Sequence, residues 1–223
     1  DLCGRREGES EQAGVAPAPD AVRESVIYVE FEPTTARART EIKAALEEVL
    51  ADVRRCVAGW RPMLADMQAA IEDLRQYPPR EGDAQEAIAF LEWLCADNFT
   101  FLGSQVIDYG DRDAPPTVHP GHGLLTDPNY PLWRGMRGVA DLPPQLSQFL
   151  HAAEPILITK ANAMSHVHRR VHLDYIAVKR FDGAGQLVGE RRFVGLFTST
   201  AYATNPRTVP VLRGKVQQVI ARC

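Results

Sequence analysis

The residues best equipped for chemistry lie close together between positions 160 and 174. His166-x-His168-x-x-x-His172 with Asp174 carries imidazole and carboxylate, donor types that suit zinc or iron. All these positions are even-numbered, so one strand running through them would place the side chains on one face. The spacing does not by itself make a metal site. His166 and His168 precede the apolar run that begins at Val171, and same-face residues far apart along a strand diverge too much to share one ion. Lys160, Asn162, His168 and Arg169 form a second group. Two cations with an amide and an imidazole can hold a carboxylate or phosphate, such as a small effector, through charge-assisted hydrogen bonds. The plainer use of the same residues is to order a loop and to pair with Asp174 or Glu190.

Other catalytic patterns are missing. Gly103 and Gly121-x-Gly123 fit neither a P-loop nor a dinucleotide fingerprint. There is no Gly-x-Ser-x-Gly, and Ser165 and Ser199 carry no triad signal. Asp174 with Tyr175 can serve as a carboxylate–phenol pair or as a structural hydrogen bond. Phe99, Phe101, Tyr175, Phe181, Phe193 and Phe197 can line an apolar pocket between sheet and helices, or close into a packed core.

Three apolar runs must position these residues: Ile156–Thr159, Val171–Phe181 and Leu187–Thr198. They are rich in Val, Ile, Phe and Tyr, as strand residues should be. Asp182-Gly183-Ala184-Gly185 between the last two reads as a hairpin loop. Leu187, Phe193 and Phe197 share a parity with Gly189 and Gly195, which predicts one sheet face and a close approach at the glycines. The expectation is an antiparallel three-strand meander.

Residues 1–21 have the composition of a flexible linker. Glu24–Glu32 alternates as a strand with Ile27, Val29 and Phe31 buried. Such a strand needs a partner, so it should pair with the later sheet or with another copy. Thr34 or Thr35 should cap a helix to about Gly59, and Trp60-Arg61-Pro62 should break it before a second helix, Pro62 to Gln76. Asp83 and Glu86 form a capping box for a third helix, to about Asp97. Phe99–Tyr109 reads as a strand interrupted at Gly103. A Pro/Gly loop, 111–123, and an irregular region anchored by Trp133 and Met136 follow. Pro144–His151 is a short helix. A final helix starts at Val209 or Pro210 and runs through Ile220. The whole is an α+β chain: an antiparallel sheet of about five strands with a C-terminal three-strand meander, preceded by long helices.

The runs ILITKAN, HVHRRVHLDYIAVKRFD and GERRFVGLFTSTAY, with WRPML, AFLEWLCADNFTFLG and GLL upstream, carry a resemblance. Over residues 22–222 the chain resembles the N-terminal regulatory region of the large bacterial NAD-dependent glutamate dehydrogenases, a region of ACT-like and PAS-like modules. The resemblance implies a non-catalytic regulatory or oligomerisation segment. It implies a division into residues 22–80, the strand and helical hairpin ending an ACT-like module, and residues 81–223, a PAS-like domain. NAD would serve the parent enzyme and no cofactor this segment. The partners implied are the rest of the parent chain, further copies in a homo-oligomer and a small-molecule effector. A purely structural dimerisation module and a small metal-binding protein are the alternatives.

Composition sets the outer bounds. The 223 residues are 45% hydrophobic and 24% charged with net charge −4, as for an ordinary globular chain. That balance argues against a nucleic-acid footprint. No apolar run approaches a membrane span. Cys3, Cys56, Cys95 and Cys223 show no metal-site spacing. Such cysteine usage fits a reducing cytoplasm, with Cys56 and Cys95 as buried thiols.

Overall fold

The computed structural model describes residues 26–110, 115–133 and 144–221. The expected linker at 1–21, Met136, Cys3 and Cys223 lie outside the described residues.

Helix α1 spans Ala36–Gln76, and Thr35 caps it by accepting the Ala38 N–H at 3.2 Å. The break expected at Trp60-Arg61-Pro62 does not occur, because Pro62 sits inside one continuous helix. An interior proline costs about 3 kcal/mol. Met63, Met67 and Leu74 are all but fully buried on the next turns, and each such side chain returns about 1.5–3 kcal/mol. Packing therefore outweighs the lost hydrogen bond. The first half of α1 is different. Ile42, Leu46 and Leu50 are exposed, and the first buried residue is Asp52. About 24 Å of helix, at roughly 1.5 Å per residue, projects from the body.

The strand expected at Glu24–Glu32 is absent from its described part. Residues 26–35 have no regular structure, and Val26, Ile27, Tyr28, Val29 and Phe31 are 54–93% exposed. The physical reason is position. The segment hangs from the free end of the projecting helix, where no neighbouring strand can take its backbone hydrogen bonds.

Helix α2, Ala84–Trp93, is capped by Asp83, whose carboxylate accepts the Glu86 N–H at 2.8 Å. The capping box is only half formed. The Glu86 carboxylate instead accepts the Val211 N–H at 2.7 Å and Arg213 Nε at 2.8 Å. A wide turn, Leu94–Asn98, then delivers the chain into the sheet. It turns through Asp97 at φ 59° and is held by the Asn98 amide on the Trp93 and Ala96 carbonyls.

Strands β1 (Phe99–Asp108), β2 (Thr117–Val118), β3 (His122–Gly123), β4 (Ile156–Met164), β5 (His172–Phe181) and β6 (Leu187–Phe197) form one antiparallel sheet. Its order is β2-β1-β6-β5-β4, with β3 also on β1. The irregularity expected at Gly103 is a bulge at Leu102, and β1 continues through it. The residues expected to form a loop at 111–123 supply β2 and β3. The β5–β6 hairpin turns where expected: Asp182 Oδ1 accepts the Ala184 and Gln186 N–H groups, and Gly185 takes φ 71°. Helix α3 is Pro144–His151, and helices α4 (Ser199–Ala203) and α5 (Leu212–Ile220) close the chain.

Both faces of the sheet are covered. Phe99, Phe101, Ile176, Val178 and Phe193 pack against the second half of α1 and against α2. Tyr175, Ala177, Val194 and Leu196 pack on the other face with Leu124, Leu125, Leu132 and Phe149. Tyr175 thus faces away from the phenylalanines, and the aromatic set does not line one pocket. Where α1 crosses β3, backbone meets backbone. A Cβ on Gly59 would come 2.7 Å from Gly123 N, and one on Gly123, at φ +62°, would come 2.2 Å from Leu102 O.

Gly123→Ala should therefore lower the melting temperature by about 10 °C, roughly 3 kcal/mol. Gly214→Ala, in α5 with nothing within 4 Å of the added atom, should leave it unchanged or slightly raised. Thermal melts followed by circular dichroism check both.

Candidate functional site

Strand β4 runs to Met164, so Lys160 and Asn162 lie within it and not in the connection beyond it. Lys160 and Asp174 are register partners across β4 and β5, and Lys160 Nζ sits 2.7 Å from Asp174 Oδ1. Asp174 is buried, and its Oδ2 accepts the Phe197 N–H at 3.3 Å. Arg169 donates to the Phe197 carbonyl and stacks its guanidinium 5.6 Å from the Tyr202 ring centre. Asp174 and Arg169 thus converge on Phe197, the last residue of β6, and Lys160 backs Asp174 from β4. Asn162 is exposed, and its backbone N–H donates to Leu132 O at 2.9 Å. His168 is exposed and holds φ 68°. That left-handed turn interrupts extended backbone, so period two does not carry from His166 to His172. Among the described residues, no group of three or more His, Cys, Asp or Glu side chains could hold a metal ion. Asp174 and Tyr175 point to opposite faces, which removes the carboxylate–phenol pair. Ser165 is tied to the backbone of Val167, donating to its carbonyl at 2.7 Å and accepting its N–H at 3.1 Å.

The opposite face holds a polar cluster that the sequence reading did not assemble, although it named Glu190 and Tyr175 singly. Glu190 and Tyr175 are buried, beside Tyr109, Arg192 and Gln105. Arg192 Nε donates to Gln105 Oε1 at 3.0 Å, and Gln105 Nε2 donates to His119 O at 2.9 Å. Burial pushes the Glu190 carboxyl above its ordinary range, against the Tyr109 hydroxyl, the Arg192 charge and the Tyr175 hydroxyl. Glu190 Oε2, the Tyr175 hydroxyl and Trp133 Nε1 have no geometrically sound hydrogen-bond partner. The available signal was parity. Arg192 and Glu190 share it with Val194 and Leu196, whereas Arg191 faces α1 and bonds Asp73 at 3.0 Å.

Two clefts flank the β4 edge. One, of about 450 Å³, is apolar and lies between Trp93, Ile158, Phe197, Tyr202 and Pro210, with Lys215 at its rim. The other, of about 620 Å³, carries Asp83, Glu86, Glu154 and Lys215. They meet at Ile158 and Val211. Val211 holds φ 67°, a costly conformation for a β-branched residue. The Glu86 carboxylate bonded to its N–H keeps it there, and the Arg213 hydrogen bond holds Glu86 below its usual range.

Nearly the whole chain aligns with known proteins. An NAD-specific glutamate dehydrogenase from Halomonas elongata is 38% identical over 213 residues, covering 91% of this chain and 13% of the relative. The chain is homologous to a segment of these enzymes. The NAD-specific glutamate dehydrogenase of Pseudomonas aeruginosa is 32% identical over 232 residues, 99% of this chain and 14% of that protein. The chain therefore spans about one-seventh of the length of the curated relatives it matches. No family model matches it.

The described residues do not fit a dinucleotide. Its pyrophosphate needs a glycine-rich turn opening a helix. Gly103, Gly121 and Gly123 are instead packed against Leu125, Leu102 and Ser104. Among the described residues no helix is long and apolar enough to cross a membrane.

Lys160→Met leaves the buried Asp174 carboxylate without its cation and should cost about 1–3 kcal/mol in urea unfolding. Glu190 sets a pH dependence. Its folded-state pKa is raised, so the folded chain binds more protons than the unfolded one. Its contribution is complete below the unfolded carboxylate range and is lost as pH rises through the raised value. Stability should fall over that window in the native chain, and Glu190→Gln should flatten the fall, measured by urea unfolding between about pH 4 and pH 8.

Proposed function

We propose that this chain is a non-catalytic regulatory and assembly segment of an NAD-dependent glutamate dehydrogenase. The parent enzyme would convert L-glutamate and NAD to 2-oxoglutarate and ammonia in the cytoplasm. The observation that carries the reading is the alignment: nearly the whole chain matches, yet it accounts for one-seventh of its relatives. The geometry supports a structural use for two of the candidate residues: Lys160 pairs with Asp174, and Arg169 bonds the Phe197 carbonyl. Residues 81–223 read as a PAS-like domain, supported by three early strands (two of them of two residues each), a helical middle and a closing three-strand meander. Residues 22–80 read as the end of an ACT-like module. A small effector would engage the exposed Asn162 and His168, with Lys160 and the half-buried Arg169 beside them supplying positive charge. The exposed apolar stripe of α1 favours assembly as the second half of the role.

The 223-residue chain should produce no NADH from glutamate and NAD, and measurable turnover would overturn the non-catalytic reading. Its melting temperature should rise with one member of a panel of amino acids and nucleotides, because binding at about 100 times Kd adds roughly 2.7 kcal/mol. His168→Ala and Asn162→Ala should abolish that rise. A flat panel would remove the effector and leave assembly.

A further inference from the structure

Most of the exposed large apolar side chains among the described residues lie between Val26 and Trp60; the others include Tyr202, Leu212, Val219 and Ile220 in the C-terminal region. Ile42, Leu46, Val49, Leu50, Val53, Val57 and Trp60 recur at helical spacing, and at 100° per residue they fall within an arc of about 100°. Ile42, Leu46, Leu50, Val57 and Trp60 are 40–73% exposed. Ahead of the helix, Val26, Ile27, Tyr28, Val29 and Phe31 are 54–93% exposed. Together they leave apolar surface on the order of 1,000 Å² open, beyond the largest patch of a typical monomer and close to one partner's share of a stable interface. An isolated helical arm is also marginal in water unless its apolar face is covered.

The same chain's residues 26–31 do not cover the stripe. Val26, Ile27, Tyr28, Val29 and Phe31 are themselves open to solvent and lie on no part of their own helix. Phe31, five residues from Ala36, reaches at most about 18 Å, short of Val57, which lies about 32 Å along the helix at roughly 1.5 Å per residue.

We infer that α1 pairs antiparallel with α1 of a second copy of this chain, and that Val26–Phe31 of each copy lies on Val57 and Trp60 of the other. This deepens the assembly half of the function proposed above and rests on it. The charges select the antiparallel sense. Lys43, Glu47 and Arg54 share one flank of the stripe. An antiparallel pair sets Lys43 opposite the partner's Glu47 and Glu47 opposite the partner's Lys43, whereas a parallel pair would turn this flank toward the partner's other flank, where Ala38 and Ala45 offer no charge. Within one helix Lys43 and Glu47 are 3.7 Å apart and both exposed. Such a pair contributes only about 0.3–0.5 kcal/mol and is free to exchange. In this register residue 36 of one helix reaches the partner's residue 54. Residues 26–35 then continue toward the partner's Val57 and Trp60, and Glu30 and Glu32 run beside the partner's Arg54 and Arg61. A two-fold axis makes the contact close on itself, with no open-ended growth.

Sedimentation velocity of the 223-residue chain between about 1 and 100 μM tests this. A dimer is expected. Ile42→Glu, Leu46→Glu and Leu50→Glu combined should leave a monomer with an unchanged far-ultraviolet spectrum, since these side chains touch no core. Lys43→Glu and Glu47→Lys should each raise the dimer Kd at least about tenfold. An equimolar mixture of those two proteins should restore dimerisation, a rescue that contacts within one helix cannot supply. A monomer at about 100 μM, a dimer indifferent to the triple substitution, or a mixture that stays monomeric overturns the inference. The effector panel repeated on the triple variant tests the regulatory reading separately, so either can fail alone.

Discussion

The structure depends on how the second half of α1 is held against the sheet. Met63, Met67, Ala70 and Leu74 are sealed between helix and strands. Arg191 reaches across to Asp73, and Arg180 lies 3.5 Å from the same carboxylate. Ser104 donates to Asp66 at 2.6 Å, adding a polar tie from β1. The crossing at Gly59 and Gly123 lets the two backbones touch, so the whole interface can close. Because this contact is so complete, the helix survives Pro62. Because it ends at Asp52, residues 36–51 of the helix are left largely open to solvent.

The two faces of the sheet do different work. The α1 face is almost wholly apolar at its centre and ringed by ion pairs. The other face carries Glu190, Arg192, Gln105 and Tyr175 in the middle of an apolar surround. Buried polar clusters are costly unless satisfied, and here several atoms remain unpaired. That face trades stability for a pH-dependent one. The Lys160, Asp174, Phe197 and Arg169 chain lies at the sheet's edge and serves both packing and surface charge.

The meander and its hairpin were legible because period two and the turn glycines agree with the final packing. Thr35 and Asp83 were legible as caps for the same reason: cap chemistry is local. The errors arose where distant contacts decide. Pro62 reads as a break until Met63 and Met67 are known to be buried. Glu86 reads as a box partner until Arg213, far away in the chain, claims it. Ile27, Val29 and Phe31 have the alternation of a strand, but alternation states a preference and supplies no neighbour. The residues from His166 to His172 misled because one left-handed residue, His168, defeats the parity on which a shared face depends.

A 41-residue helix with no interruption behaves as a rigid rod gripped at one end. Its grip is the sheet, and its free length is about 24 Å, at roughly 1.5 Å per residue. A tilt of about 10° at the grip sweeps the tip through roughly 4 Å, the scale of an interhelical step. Small rearrangements around β1 and β3 are thus magnified at the far end of the arm, and whatever rests on that tip would register them as displacement.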